Sequence, residues 1–239
     1  MVANAWVRLP VEWIDKQGLR QLSWKHAGPG ANTTAALMLL IAIAHNADQT
    51  SGECRFTYDD LCAATGVSRA KASAGLAMLK DLKIIEEGAD RSRYRLSYFG
   101  PGHRWGKLPA KSMYSASEAI VPFTHFHLRQ QIELDAMKLF LLFIARLERN
   151  SDRALIGYDK IEEYTGIHRA RIYPATGVLI NYRLIVTEKA ASINDDRYIA
   201  NAYRIVGLEP YNHRGTRGRS MITTEHQSDE GAVSNEPVD

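Results

Sequence analysis

At 239 residues the chain has room for two modest domains, each with its own core, and an apolar share of 45% is ordinary for a globular protein. Two cysteines exclude a disulfide framework and suit a reducing cytosol, and the longest apolar run, Ala35 to Ala44, is about half the length a bilayer span needs. The opening M-V-A-N-A-W-V-R-L-P lacks the basic start and apolar core of a secretory leader, so a cytoplasmic protein without membrane segments is expected.

In chain order, Trp6 to Pro10 reads W-V-R-L-P, and Asn32-Thr33-Thr34 offers caps for an apolar helix over Ala35 to Ala44. The segment from Thr57 to Leu96 carries the densest signals. Thr57 followed by Asp60 is a capping-box start for a short helix, Gly66 suits its left-handed end, and Ser68 can cap a second helix at once. In that second helix Val67, Ala72, Leu76 and Leu79 share one side, which leaves Arg69, Ala70, Lys71, Ser73 and Ala74 outward. After Asp81 the period drops toward two through Ile84-Ile85, Glu87-Gly88-Ala89-Asp90 and Arg93-Tyr94-Arg95-Leu96, a β-hairpin pattern. Cys62 in the first helix reads as a small buried residue.

Helix, tight turn, helix and hairpin in this order resemble the winged helix-turn-helix DNA-binding unit. The net charge of +3 does not announce a polyanion partner, but its distribution does more. From Gly66 to Lys111 there are ten Lys or Arg against four acids, a net of +6, where the unit sits. The major groove admits one helix whose first turn reaches base edges, and Arg69 and Lys71 lie in that turn. Ser73 suits a base or phosphate, Ala70 and Ala74 permit close approach, and Arg91 and Arg93 on the wing suit phosphate or the minor groove. Backbone amides near Thr57 add a phosphate contact. The candidate DNA-contact set of this half is therefore Thr57, Ser68, Arg69, Lys71, Ser73, Arg91 and Arg93, with Lys80 and Lys83 on its rim. A solvated helix face is the ordinary fate of such charges; the matched frame is what favours groove contact.

The pattern then recurs. Trp105 to Pro109 reads W-G-K-L-P, and Asp135 to Ile144 repeats the apolar helix. Tyr58-Asp59, Thr65-Gly66, Arg69-Ala70, Leu79 and Ile85 each meet the same residue one hundred positions later, eight identities over positions 58–86. Amphipathic helices resemble one another in hydrophobic pattern but not in punctuation at one constant offset, so an internal repeat is expected. The second half offers His168, Arg169, Arg171 and Tyr173 as DNA contacts. It departs at Pro174, which implies either a kinked helix or one that begins near Pro174. Its wing carries nine extra residues over Thr187 to Asn201, with Asp195-Asp196 a poor neighbour for phosphate.

The expected fold is mainly α with small β-hairpin wings (α+β), two tandem winged helix-turn-helix domains over 1–100 and 105–209 and a disordered tail over 210–239. A linker runs from Ser97 to Pro122 with Gly100-Pro101-Gly102 as its breaker, and Trp6, Trp13, Trp24 and Trp105 are expected to pack linkers against helices. Arg217-Gly218-Arg219 resembles a minor-groove arm without its usual proline. His125, His127 and His103 lack Cys or carboxylates at ligand spacing, so no metal is assigned. No nucleotide-binding loop, nucleophile elbow or H-E-x-x-H occurs, and Glu162-Glu163 reads as a first-turn acidic pair, so no catalysis and no cofactor are assigned.

The resemblance implies sequence-specific binding of double-stranded DNA, by one chain over some 20 base pairs or by a homodimer. It extends to bacterial winged-helix transcriptional regulators, through T-G-V-S-R-A-K-A-S, and to plasmid or phage replication initiators, through the paired units. The alternative is a winged-helix protein-interaction module in a DNA-maintenance or conjugation complex.

Overall fold

The structure is a computed structural model that describes residues 4–24, 30–88, 90, 92–115, 118–148, 151–192 and 195–208, with backbone alone over 189–200. The first part holds β1 (Trp6–Pro10), α1 (Glu12–Asp15), α2 (Gly18–Gln21), α3 (Gly30–Asn46), β2 (Glu53–Arg55), α4 (Tyr58–Thr65), α5 (Arg69–Asp81), β3 (Ile85–Glu87) and β4 (Arg93–Leu96). The second holds β5 (Trp105–Pro109), α6 (Gln131–Ala145), β6 (Arg153–Leu155), α7 (Tyr158–Thr165), α8 (Arg169–Asn181), β7 (Ile185–Ser192) and β8 (Asp195–Ile205). This is an α+β fold, with eight α-helices and three small antiparallel sheets among the described residues. No described helix is long and apolar enough to cross a membrane. The tail from 210 on, with Arg217-Gly218-Arg219, lies outside the described residues, and so does Arg91.

Two helices show no solvent face of any width. α3 is buried from Thr33 to His45 and α6 from Glu133 to Ala145, as expected of predominantly apolar helices, although α6 buries Glu133, Asp135 and Lys138 as well. They pack on each other and carry α5 and α8 on their flanks. Asn32, Thr33 and Thr34 do not cap α3, which begins two residues earlier at Gly30. The Thr34 hydroxyl instead donates to Gly30 O (3.2 Å) and Thr33 to Ser23 O (3.4 Å), so hydroxyls that could have ended the helix are spent on carbonyls upstream.

The halves agree in detail at the offset of one hundred. Each sheet places its last strand in the middle, β2-β4-β3 and β6-β8-β7. Gly66 and Gly166 close α4 and α7 at φ 72° and 67°, and Thr65 and Thr165 each donate to the carbonyl four residues back at 2.6 Å. Lys83 and Arg183 repeat a left-handed backbone at φ 54° and 55°. The second hairpin is the longer, pairing from Ile185 with Ile205 out to Ser192 with Asp195, where β3 and β4 share three pairs.

Of the two alternatives at Pro174, the later start is excluded: α8 starts at Arg169 and passes through the exposed proline, which leaves the Ala170 carbonyl without its amide partner. One expectation about the second half is corrected. Glu162 and Glu163 occupy the second turn of α7, because Gly157 starts that helix early and gives the first turn to Asp159.

The segment expected as linker contains β5 and a short 3₁₀ turn, Lys111–Met113, and ends inside a second, Val121–His125. β5 pairs with β1 as an antiparallel ribbon, with Trp6 opposite Pro109, Arg8 opposite Lys107 and Pro10 opposite Trp105. These are the two matching W-x-x-L-P segments, so exchanging them maps the ladder onto itself, Arg8 and Lys107 trading places at its centre. Val11 N–H donates to Arg104 O (3.1 Å) as Ala110 N–H donates to Ala5 O (2.9 Å). Arg8 lies over the Trp105 ring at 5.1 Å as Lys107 lies over Trp6 at 6.0 Å. The ribbon therefore sits on a local pseudo-two-fold axis. The rings of Trp6 and Trp105, both partly exposed, stack on each other across this axis, 5.7 Å apart. Trp13 is buried with its indole N–H on Pro10 O, and Trp24 lies against the core.

Past the ribbon, each segment crosses onto the opposite half. α2 packs on α7, where Arg20 donates to Glu163 O (3.1 Å), and Leu22 O accepts from Lys138 Nζ of α6 (2.9 Å). Asp15 of α1 binds Arg104 and, at the end of α6, Arg146. In return, Ile120 N–H donates to Ala64 O at the end of α4. His45 of α3 holds the Pro109 carbonyl at 2.8 Å and the Tyr114 hydroxyl at 3.0 Å.

Candidate nucleic-acid interface

The first candidate surface is built on the corner between α4 and α5. Thr57 starts α4 through a reciprocal box: its hydroxyl accepts from Asp60 N–H (3.2 Å), while its amide and hydroxyl both donate to the Asp60 carboxylate (3.0 and 2.6 Å). The Thr57 hydroxyl, then its amide, holds the Asp60 carboxyl below the usual range. A phosphate reaching these amides would have to displace that carboxylate. Ser68 caps α5 by accepting from Lys71 N–H at 3.4 Å. Ala72, Gly75, Leu76 and Leu79 are buried against the core, which forces Arg69, Ala70 and Ser73 into solvent with Lys71 half-buried beside them.

Arg69 pairs with Asp59 at 3.2 Å, with side-chain exposures of 70% and 78%. A pair that open to water is worth about 0–1 kcal/mol, so it is readily exchanged for a stronger anion. A shallow cleft of about 580 Å³ runs beside α5, lined by Tyr58, Arg69, Ala70, Ser73, Lys80 and Tyr94. Lys80 is tied to Glu87 across it at 3.0 Å. On the hairpin Arg93 binds Asp90 at 3.1 Å, and the Asp90 carboxyl is held down first by the Ser92 hydroxyl.

Two contributors escaped the sequence reading. Arg55 stands exposed directly opposite Arg93 in the β2–β4 ladder. Like charges facing across strands repel unless an anion shares them. Its signal was the alternation E-C-R-F entering α4. Asp59 shows in the sequence only as a repeated letter, although both it and Asp159 bind the arginine that opens the following helix.

The second half arranges the corresponding residues differently. His168 caps α8, its Nδ1 accepting from Ala170 N–H at 3.3 Å. Arg169 is held by Asp159 and lies over the Tyr158 ring at 5.5 Å. Arg171 turns inward to Asp135 of α6 at 3.2 Å. Burial pushes the Asp135 carboxyl up against the opposing pull of Arg171 and Lys138, and burial pushes Lys138 down to about 8. Tyr173 is 77% exposed. Glu188 bridges Arg153 and Arg204 at 2.9 and 3.0 Å, so the hairpin base satisfies its own cations. The side chains of Asp195 and Asp196 lie outside the described residues.

Among the described residues, no group of three or more His, Cys, Asp and Glu side chains could hold a metal ion. His103 binds Glu12 at 2.7 Å, and the His125 ring lies 5.2 Å from that of Tyr182. Cys54 is buried and its thiol is pushed up to about 12; Cys62 is only half-buried, less than its sequence setting suggested, because its helix turns that side toward solvent. No protein-family model matches the chain, and no curated protein matches it either.

Proposed function

We propose that the chain is a cytoplasmic, sequence-specific double-stranded-DNA-binding protein with two tandem winged helix-turn-helix units, acting as a plasmid- or phage-type replication initiator or a transcriptional regulator. One unit comprises α3, α4, α5 and the β2-β4-β3 sheet, the other α6, α7, α8 and β6-β8-β7. The observation that carries the reading is the first turn of α5. Its apolar side is buried while Arg69, Ala70 and Ser73 stand exposed beside Lys71, with the basic wing base of Arg55 and Arg93 nearby in the same unit. Arginine contacts guanine bidentately, and each such pair discriminates by about 1–3 kcal/mol.

The pseudo-two-fold axis through the ribbon adds an orientation. Half-site symmetry mirrors protein symmetry, so the two units of one chain face their segments in opposite directions. The half-sites are therefore inverted, and they differ in sequence because R-A-K-A-S and R-A-R-I-Y differ.

Footprinting of the purified full chain on plasmid and genomic DNA tests this. The expected result is two protected segments about one helical turn apart, imperfectly inverted, with affinity falling about a thousandfold between 50 and 200 mM salt if some six phosphates are neutralised. Clusters of such sites at an origin favour initiation, and a lone site upstream of a gene favours regulation. The second reading, a protein-interaction module, draws on the internally neutralised cations of the second half, Arg171 and Arg204. Protection nowhere, and binding to a protein partner that is indifferent to salt, would favour it.

A further inference from the structure

Arg171 stands at the position of Lys71, where the pattern asks for a base contact, yet its Nε is buried toward α6 while the side chain as a whole keeps 38% of its exposure. Its Nε lies 3.2 Å from Oδ2 of Asp135, whose side chain is 3% exposed, and the pair is an electrostatic contact rather than an aligned hydrogen bond. The first half has nothing equivalent. Positions 35 and 38 are Ala and Met where 135 and 138 are Asp and Lys, and among the described residues no carboxylate pairs with Lys71. The same helix carries a second departure three residues on. Pro174 has no amide for the Ala170 carbonyl, so the turn from Arg169 to Tyr173 is separated from the rest of α8 by a missing rung, where position 74 is an ordinary alanine. A turn weakened in this way needs another hold, and the Asp135–Arg171 pair grips its middle residue. Were Arg171 to swing out to a base, it would leave a buried carboxylate without that partner, which is unfavourable.

We infer that Arg171 is a positioning residue: its pair with Asp135 clamps the turn ahead of Pro174 onto α6, and Arg169 and Tyr173 are the side chains that distinguish bases in the second half-site. The assignment of readers rests on the DNA-binding reading above; the clamp does not. Arg169 and Tyr173 are the well-exposed large side chains of this turn, and Arg169 is held by the exposed Asp159 and the face of Tyr158.

Hydrogen exchange on the full chain tests the clamp without DNA. Asp135→Asn should speed exchange of the Ile172 and Tyr173 amides about tenfold relative to the C-terminal part of α8. In a chain that also carries Pro174→Ala, which restores the rung, most of that acceleration should vanish. Unchanged exchange, or acceleration spread evenly over α6 and α8 regardless of Pro174, overturns the clamp. If Asp135→Asn does not fold, Arg171→Gln removes the same pair from its exposed side and takes the same measurement. Selection from randomised duplexes tests the readers. Arg171→Ala should bind about tenfold more weakly with every base preference intact, while Arg169→Ala and Tyr173→Ala each erase a preference in the second half-site. Loss of a preference in Arg171→Ala overturns the assignment. A wild-type chain that selects no sequence defeats the DNA reading instead and leaves the exchange result to decide the clamp.

Discussion

Gly75 of α5 rests directly on the backbone of α3: a Cβ placed on it would lie 3.0 Å from Ala36 N and 3.1 Å from Ala36 Cα, with Leu39 Cδ1 at 2.8 Å. Leu39 can turn aside but the backbone cannot. Gly75→Ala therefore has to lift α5 from the core by a few tenths of an ångström. The gain in helix propensity, about 1 kcal/mol, offsets part of an overpacking cost of about 1–3 kcal/mol. Denaturant unfolding should show a net loss of roughly 1 kcal/mol, and Gly75→Val a larger one. An unchanged midpoint for Gly75→Val would mean that the two helices are not in this contact.

Base reading and phosphate contact separate in two substitutions. On the proposed DNA-binding reading, in which Arg69 contacts a base bidentately, Arg69→Ala should weaken a cognate site about ten- to a hundredfold while leaving random DNA nearly untouched. Arg93→Ala should weaken both alike and lower the salt slope by about 1. Titrations of both DNAs at several salt concentrations measure this; equal losses on the two DNAs for Arg69→Ala would remove Arg69 from the readers.

A buried histidine sets a pH window. Burial pushes His45 down to about 4, and the ring is held by the Pro109 carbonyl and the Tyr114 hydroxyl. The unfolded chain takes up this proton near pH 6.5 and the folded chain only near 4, so the unfolded state binds more protons in between. Stability is thus full above about pH 6.5 and declines as pH falls toward 4, by up to roughly 3 kcal/mol. Urea unfolding at stepped pH measures the decline, and His45→Gln should flatten it. A slope that persists unchanged in His45→Gln would assign it to other groups.

The helix starts differ in their debt to a single side chain. Thr57→Ala removes a box with three hydrogen bonds and should cost about 1 kcal/mol. At the matching start of α7 the cap is Gly157, with no side chain to lose, so Gly157→Thr offers the second half the missing cap. Thermal melts should move down for the first variant and up or not at all for the second; a neutral Thr57→Ala would mean that solvent replaces the box.

Local signals were readable because they act over three or four residues. Thr57 with Asp60, the left-handed Gly66 and the Ser68 cap occur as the sequence implies, and the constant offset between halves reappears as matched elements. What escaped depends on elements meeting at a distance. Trp6 and Trp105 were visible as twins, but nothing along the chain says that twins stack on each other. Lys71 and Arg171 look interchangeable until Arg171 is seen to meet Asp135 of α6, a position that is Ala35 in the first half. Thr33 and Thr34 misled for a different reason: a threonine hydroxyl can cap a helix or bond back to a carbonyl, and only the chain upstream decides.

The crossed segments bear on where this chain can be divided. A cut at Gly100-Pro101, the obvious seam, would send α1 and α2 away with the front piece although they cover α6 and α7, and would leave Ile120 and Tyr114 on the rear piece although they cover α3 and α4. Each fragment would carry its sibling's roof. Neither should stand alone, but mixed together the two should rejoin, through surfaces that the intact chain never shows to solvent.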